Sequence, residues 1–185
     1  MFDTLKITTF AIFMAFTGTS QAAVIDLVSA TNDGTTLTAA DAIITAGPLT
    51  TLQVGDFVDN AVCPVGGDGC NGIMTLLFNF DVNNVSFEYG YGNPGDFASL
   101  TILNSVNAIL GFLNLTSTSD VVTADLSSFG TIRSILFNNS ASTGAGYAFG
   151  NITYNPASVV PLPGSLPLLL AGLGGLLFLR RRRAV

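Results

Sequence analysis

Few residues in this chain could do chemistry, and their types limit it sharply. There is no histidine, so no Ser-His-Asp relay, no Cys-His pair and no histidine-held zinc or iron can be assembled. Glu88 is the only glutamate. A glycosidase sets two carboxylates across a sugar, and Asp96 is available as a mate for Glu88. No spacing selects that pair, and the alternation around Glu88 puts it on the wet face of a strand. Asp56, Asp59, Asn60 and Asp68 could lend oxygens to a structural calcium, although Asx-turns explain the same residues. Asp81-Val82-Asn83 opens like an acidic calcium loop. Val85 then fills the next ligand position and no glycine follows, so the EF-hand pattern fails. Tyr89, Tyr91 and Tyr147 offer aromatic faces that suit sugar rings, or core packing. The residues therefore predict no catalysis and no metal, with calcium as the one cofactor left open.

The two cysteines, Cys63 and Cys70, flank Pro-Val-Gly-Gly-Asp-Gly. In an exported chain this pair predicts one disulfide closing a short loop. Two thiols at this spacing, without histidine, do not make a metal site.

The elements that must position these groups read as strands. Met74, Leu76, Phe78 and Phe80 alternate along 73–80, and Ile73 and Leu77 on the opposite face predict a central strand. Val85, Phe87, Tyr89 and Tyr91 form one face of the next strand, with Ser86 and Glu88 opposite. Asp81 to Asn84 between them predicts a hairpin. Further strands are expected at 25–30, 42–46, 50–54, 100–103, 108–113, 121–126, 131–137 and 147–154. They are separated by turn-rich stretches such as Asn32-Asp33-Gly34 and Gly47-Pro48. About ten short strands predict an all-β, antiparallel β-sandwich, jelly-roll-like in its order. Ser140 to Gly146 forms another turn, and 155–158 a short linker.

Charge is distributed unevenly. Between residues 24 and 159 lie eleven of the twelve acidic residues and Arg133 alone among the six basic ones, a net charge of −10. Such a surface repels phosphate backbones and excludes a nucleic-acid role.

Both ends of the chain differ from its middle. Residues 1–22 read as a secretory signal: Lys6 in the n-region, an uncharged stretch from Ile7 to Gly18, then Ser20-Gln21-Ala22. Cleavage is expected after Ala22, with Ala23 the neighbouring choice, by signal peptidase after passage through the Sec translocon. Residues 23–158 form the exported domain. Residues 159–185 contain Val160-Pro161-Leu162-Pro163-Gly164, an uncharged run from Leu166 to Leu179, and Arg180, Arg181, Arg182 and Arg183. Fourteen residues of helix would span ~21 Å, short for a bilayer core of about 30 Å. The arginines would stay on the cytoplasmic side.

This three-part tail resembles a PEP-CTERM sorting signal in its VPLPA variant, with Gly164 where that variant carries alanine. The resemblance covers the last 27 residues. It implies recognition by an exosortase, a membrane-embedded cysteine protease of Gram-negative bacteria. It also implies transient or permanent residence in the inner membrane with the domain on the periplasmic side, then transfer to the cell surface or exopolysaccharide matrix. The pattern Val85–Gly90, Ala98–Ile102 and Tyr147–Tyr154 is similar to β-sandwich domains carried by PEP-CTERM proteins, which resemble carbohydrate-binding modules. Those domains have an Asp-Asn pair in the closing strand where this chain has Gly150-Asn151. The expectation is an exported surface or matrix protein of structural or adhesive function, the alternative an exopolysaccharide-binding module assisted by calcium.

Overall fold

A computed structural model describes residues 21–157, apart from 56–59, 68, 91, 117–119 and 141–145. The sorting motif, the apolar run and the arginine cluster of the tail lie outside the described residues, as do residues 1–20. The described residues form twelve strands: β1 (Ala23–Val24), β2 (Thr31–Asn32), β3 (Thr36–Thr38), β4 (Ala42–Ala46), β5 (Thr51–Val54), β6 (Ala61–Val65), β7 (Gly72–Gly90), β8 (Phe97–Leu103), β9 (Ile109–Thr116), β10 (Val122–Asp125), β11 (Ile132–Ser140) and β12 (Ala148–Pro156). Every strand pairing is antiparallel. This is the antiparallel β-sandwich expected from the sequence.

The organising element is β7, and here the structure corrects the sequence. The expected hairpin at Asp81 to Asn84 is absent: Gly72 to Gly90 is one 19-residue strand. Instead of turning, the middle of β7 is paired, Val82 with Ile132 and with Pro156, Asn83 with Asn155. Val82 and Val85 are both fully buried, and Asn84 takes a positive φ of 49° between them. Asparagine tolerates that left-handed conformation, which bends the strand out of one sheet and into the other.

The first half of β7 lies in a seven-strand sheet ordered β2-β3-β4-β7-β11-β8-β9. The second half lies between β10 and β12 in the other layer, where β12 is flanked in turn by β6 and β1, and β6 by β5. Period-two alternation supplies the core. From the first sheet come rows such as Ile102, Ile135, Leu76, Ile44 and Leu37, all essentially without exposure. Phe137 of the first sheet packs on Phe149 and Phe87 of the second, with ring centroids 4.6 and 5.6 Å apart. Such aromatic pairs add to the area they bury.

Residues 25–30 do not form a strand. β1 stops at Val24, and Ile25 and Leu27 are buried through bonds described below.

Candidate functional site

Glu88 sits in the second half of β7, opposite Thr123 of β10 on one side and Gly150 of β12 on the other. Its partner is Asn151, whose Nδ2 donates to Glu88 Oε2 at 2.7 Å. Alongside, the hydroxyls of Ser86 and Thr153 lie 2.6 Å apart. Gly150-Asn151 therefore has a local cause. A Cβ on Gly150 would stand 2.9 Å from Cβ of Ala61, so β6 leaves room for glycine only. Asn151 has a φ of 45° where the register shifts, and its amide donates to the Asn60 carbonyl at 3.2 Å.

Asp96 is buried, 4% exposed, and its carboxylate accepts from the amides of Asn93 (2.7 Å) and Gly146 (3.2 Å). Glu88 and Asp96 thus have separate partners and separate environments.

Asn60 is no free calcium donor. It takes a φ of 56°, its Oδ1 accepts from the Leu27 amide at 2.7 Å, and its Nδ2 donates to the Ile25 carbonyl at 2.9 Å. With the bond from Asn151 it fastens the N-terminal segment, β6 and β12 together. Asp81 belongs to the continuous β7, lies 3.9 Å from Arg133 Nη1, and its carbonyl accepts from the Ala157 amide at 2.9 Å. The other calcium candidates, Asp56, Asp59 and Asp68, lie outside the described residues. Among the described residues no three Asp, Glu or Cys side chains cluster as a metal site would need.

Tyr147 is fully buried and so cannot stack on a sugar. Burial first, then the negative charge of Asp96, pushes its phenol up. Its hydroxyl donates to the Asp96 carbonyl at 3.2 Å, and its ring meets Tyr89 edge-on at 5.8 Å. Tyr89 is half-buried against the core, and Tyr91 lies outside the described residues. The disulfide is present, joining Cys63 of β6 to Cys70 with Cα atoms 5.3 Å apart. Asn139, buried in β11, donates to the Cys70 carbonyl and to that of Tyr147, anchoring the loop to the first sheet.

One surface escaped the sequence reading: the outward face of the first sheet. Its middle row runs across six strands as Phe112, Thr101, Leu136, Thr75, Thr45 and Thr36. A second row holds Asn114, Ser99, Asn138 and Ile73, and a third Ile109, Leu103, Ser134, Leu77, Ile43 and Thr38. None of these side chains is ionisable, on a domain of net charge −10. The other layer differs, since Glu88 and Asp125 stand two residues apart in register on its outward side. β7 is central as expected, paired with β4 on one side and β11 on the other, yet its second apolar face is turned to solvent, with Ile73 and Leu77 39% and 40% exposed. Six strands at ~4.8 Å spacing make a platform ~24 Å across. It presents hydroxyl and amide groups between apolar patches, with Phe112 66% exposed at one end.

No family model matches the sequence, and no curated protein matches it. Solved structures similar to the domain include a variant of a family 29 carbohydrate-binding module complexed with mannohexaose (15% identity, 75% of this chain and 93% of that chain, TM-score 0.48). A family 29 module from Piromyces equi is another (10% identity, 80% and 98%, TM-score 0.46).

Proposed function

We propose that this chain is an exported, non-catalytic protein that holds polysaccharide of the extracellular matrix on the three uncharged rows of the outward face of its first sheet, beside the Asp81–Arg133 pair. The observation that carries this reading is the row from Phe112 to Thr36, flanked by its two neighbours. Hydroxyls and amides set between Phe112, Leu136 and Ile73 offer hydrogen bonds to sugar hydroxyls and apolar contact to sugar C–H surfaces at once. The row contains no carboxylate, so this reading expects binding that needs no calcium. The address is the second half of the proposal, supported by the likeness of residues 159–185 to a VPLPA-type PEP-CTERM signal. An exosortase removes the tail and releases the domain from the inner membrane to the surface.

The test is co-sedimentation of the exported chain with exopolysaccharide of its host, with and without a chelator. Phe112→Ala and Thr101→Glu, neighbours across β8 and β9, should weaken binding, while Asp125→Asn on the other layer should leave it intact. Binding that survives both face variants, or that the chelator abolishes, would sink the assignment of this face. Intact mass tests the address: a chain ending near Val160–Gly164 supports processing, whereas one keeping Arg180 to Arg183 in the membrane fraction refutes it.

A further inference from the structure

The seven-strand sheet ends on β9, and no strand lies against the far edge of β9 among the described residues. Proteins usually blunt such an edge with lysine, proline or a covering segment. The eight residues of β9 contain neither charge nor proline, and residues 97–119 carry no charge at all. The side chains beside the edge are apolar and exposed: Ile109 57%, Leu110 37% and Phe112 66%, with Val106 at 78% and Phe97 at 53% nearby. Unpaired backbone groups bordered by exposed apolar side chains are a template for one more strand.

The occupant follows from charge. A cationic partner would be drawn to the carboxylates on the loops and on the second layer, away from β9. Two copies of this chain, each with a domain of net charge −10, repel one another across most of their surface. The other sheet edges do not relieve that repulsion: β2 runs into Asp33, β1 into Asp26, β5 into Asp56, and β10 ends on Asp125. β9 alone among these edges lets two copies meet without opposing carboxylates. Laid antiparallel on its own copy, it gives a closed two-fold contact in which the same apolar side chains face each other. We propose that the protein pairs with a second copy through antiparallel β9–β9 association. The pairing joins two first sheets into one and brings together the uncharged rows of their outward faces. It goes beyond polysaccharide binding and stands whether or not a glycan is held.

The experiment is a cysteine scan of the full chain, one substitution at a time from 109 to 116, with the Cys63–Cys70 bond formed first. Around a two-fold axis only the residue at the axis and its neighbours face their own copy, with Cβ atoms ~5 Å apart. Mild oxidation should therefore give cross-linked dimer at one position or two adjacent ones and fall away on both sides. Adding Leu110→Lys, at an exposed position, should abolish that peak while the circular dichroism spectrum stays unchanged. Cross-linking equal at all eight positions is aggregation, and none at any position is a monomer; either result overturns the pairing. Hydrogen exchange of the unsubstituted chain should show β9 amides protected in proportion to protein concentration. Protection that arises only when the host's exopolysaccharide is added would assign the edge to glycan and overturn the proposal equally.

Discussion

Asn60 gives the sharpest test of the reading that the polar residues of the second layer are structural. Its amide makes two bonds, accepting from Leu27 at 2.7 Å and donating to the Ile25 carbonyl at 2.9 Å, in a region partly shielded from water. Each such bond contributes about 1 kcal/mol net. Its φ of 56° lies in the left-handed region, where an ordinary L-residue pays about 1–2 kcal/mol. Asn60→Ala should therefore cost roughly 3–4 kcal/mol. At about 4 °C per kcal/mol for a domain of this size, that lowers the melting temperature by ~12–16 °C. Asn60→Asp keeps the oxygen that Leu27 needs and tolerates the backbone, but loses the donor to Ile25. It should cost about 1–2 kcal/mol, placing the order of stability as Asn, then Asp, then Ala. Thermal unfolding followed by circular dichroism, with and without calcium, reads all three. An alanine variant that melts within ~4 °C of the parent would refute the staple. So would calcium that stabilises the parent and the aspartate variant but not the alanine one, since a ligand role would then be the better account.

Two further outcomes follow from the same structure. Replacing Cys63 and Cys70 together by alanine releases a short loop, separation seven residues, and should cost about 2 kcal/mol in chemical denaturation, with added reductant reproducing the loss on the parent. Stability should also fall at both ends of the pH scale. The Asp33 carboxyl is held below its usual range by the amides of Thr35 and Thr36, so its contribution is present above the ordinary aspartate value of about 3.9 and is lost as pH falls below it. Tyr147, and Tyr154 through burial and its bond with Asp41, are held above the usual phenol range. Their contribution is complete below about 10 and is lost as pH rises past it, so phenolate absorbance should grow in step with alkaline unfolding.

What the sequence made legible was the local part of the fold. β4 falls on residues 42–46 as expected, and the strands at 97–103, 109–116, 132–140 and 148–156 overlap their expected positions. The expected turn at Asn32-Asp33-Gly34 forms, with Asp33 Oδ1 accepting from the amides of Thr35 and Thr36. The long-range part was not legible. Asp81-Val82-Asn83-Asn84 has turn composition, and only the partners contributed by Ile132, Asn155 and Pro156 make it a strand. β6 was hidden by Pro64, which is tolerated because β12 pairs with β6 only at Ala61 and Val62. Ile25 and Leu27 look like a strand because they are buried, yet their backbone is met by Asn60 and Ile152 in place of a ladder. The same limit hid the candidate surface. Ser, Thr and Asn residues scattered over six strands become three uncharged rows of one face only after the register is known. Ile73 and Leu77 then signal solvent-facing apolar groups where the alternation pattern had signalled burial.

The two ends of the described domain also bear on how it could be delivered. Ala23 pairs with Tyr154 and Val24 with Thr153, so the chain enters the fold beside the strand by which it leaves. After β12 the Ala157 amide donates to the Asp81 carbonyl at 2.9 Å, closing the exit against the bend of β7. Removing residues 1–22 leaves β1 whole, whereas cleavage one residue later would take Ala23 and half of that strand. Removal of everything beyond the motif at 160–164 leaves β12 and its last bond untouched. Export processing at both ends, in the scheme proposed above, therefore detaches segments that supply none of the described core. The outward face of the first sheet is formed by strands other than β1 and β12. In the scheme proposed above, the rows assigned to binding lie on β3, β4, β7, β8, β9 and β11, apart from β1 and β12, where the described chain begins and ends.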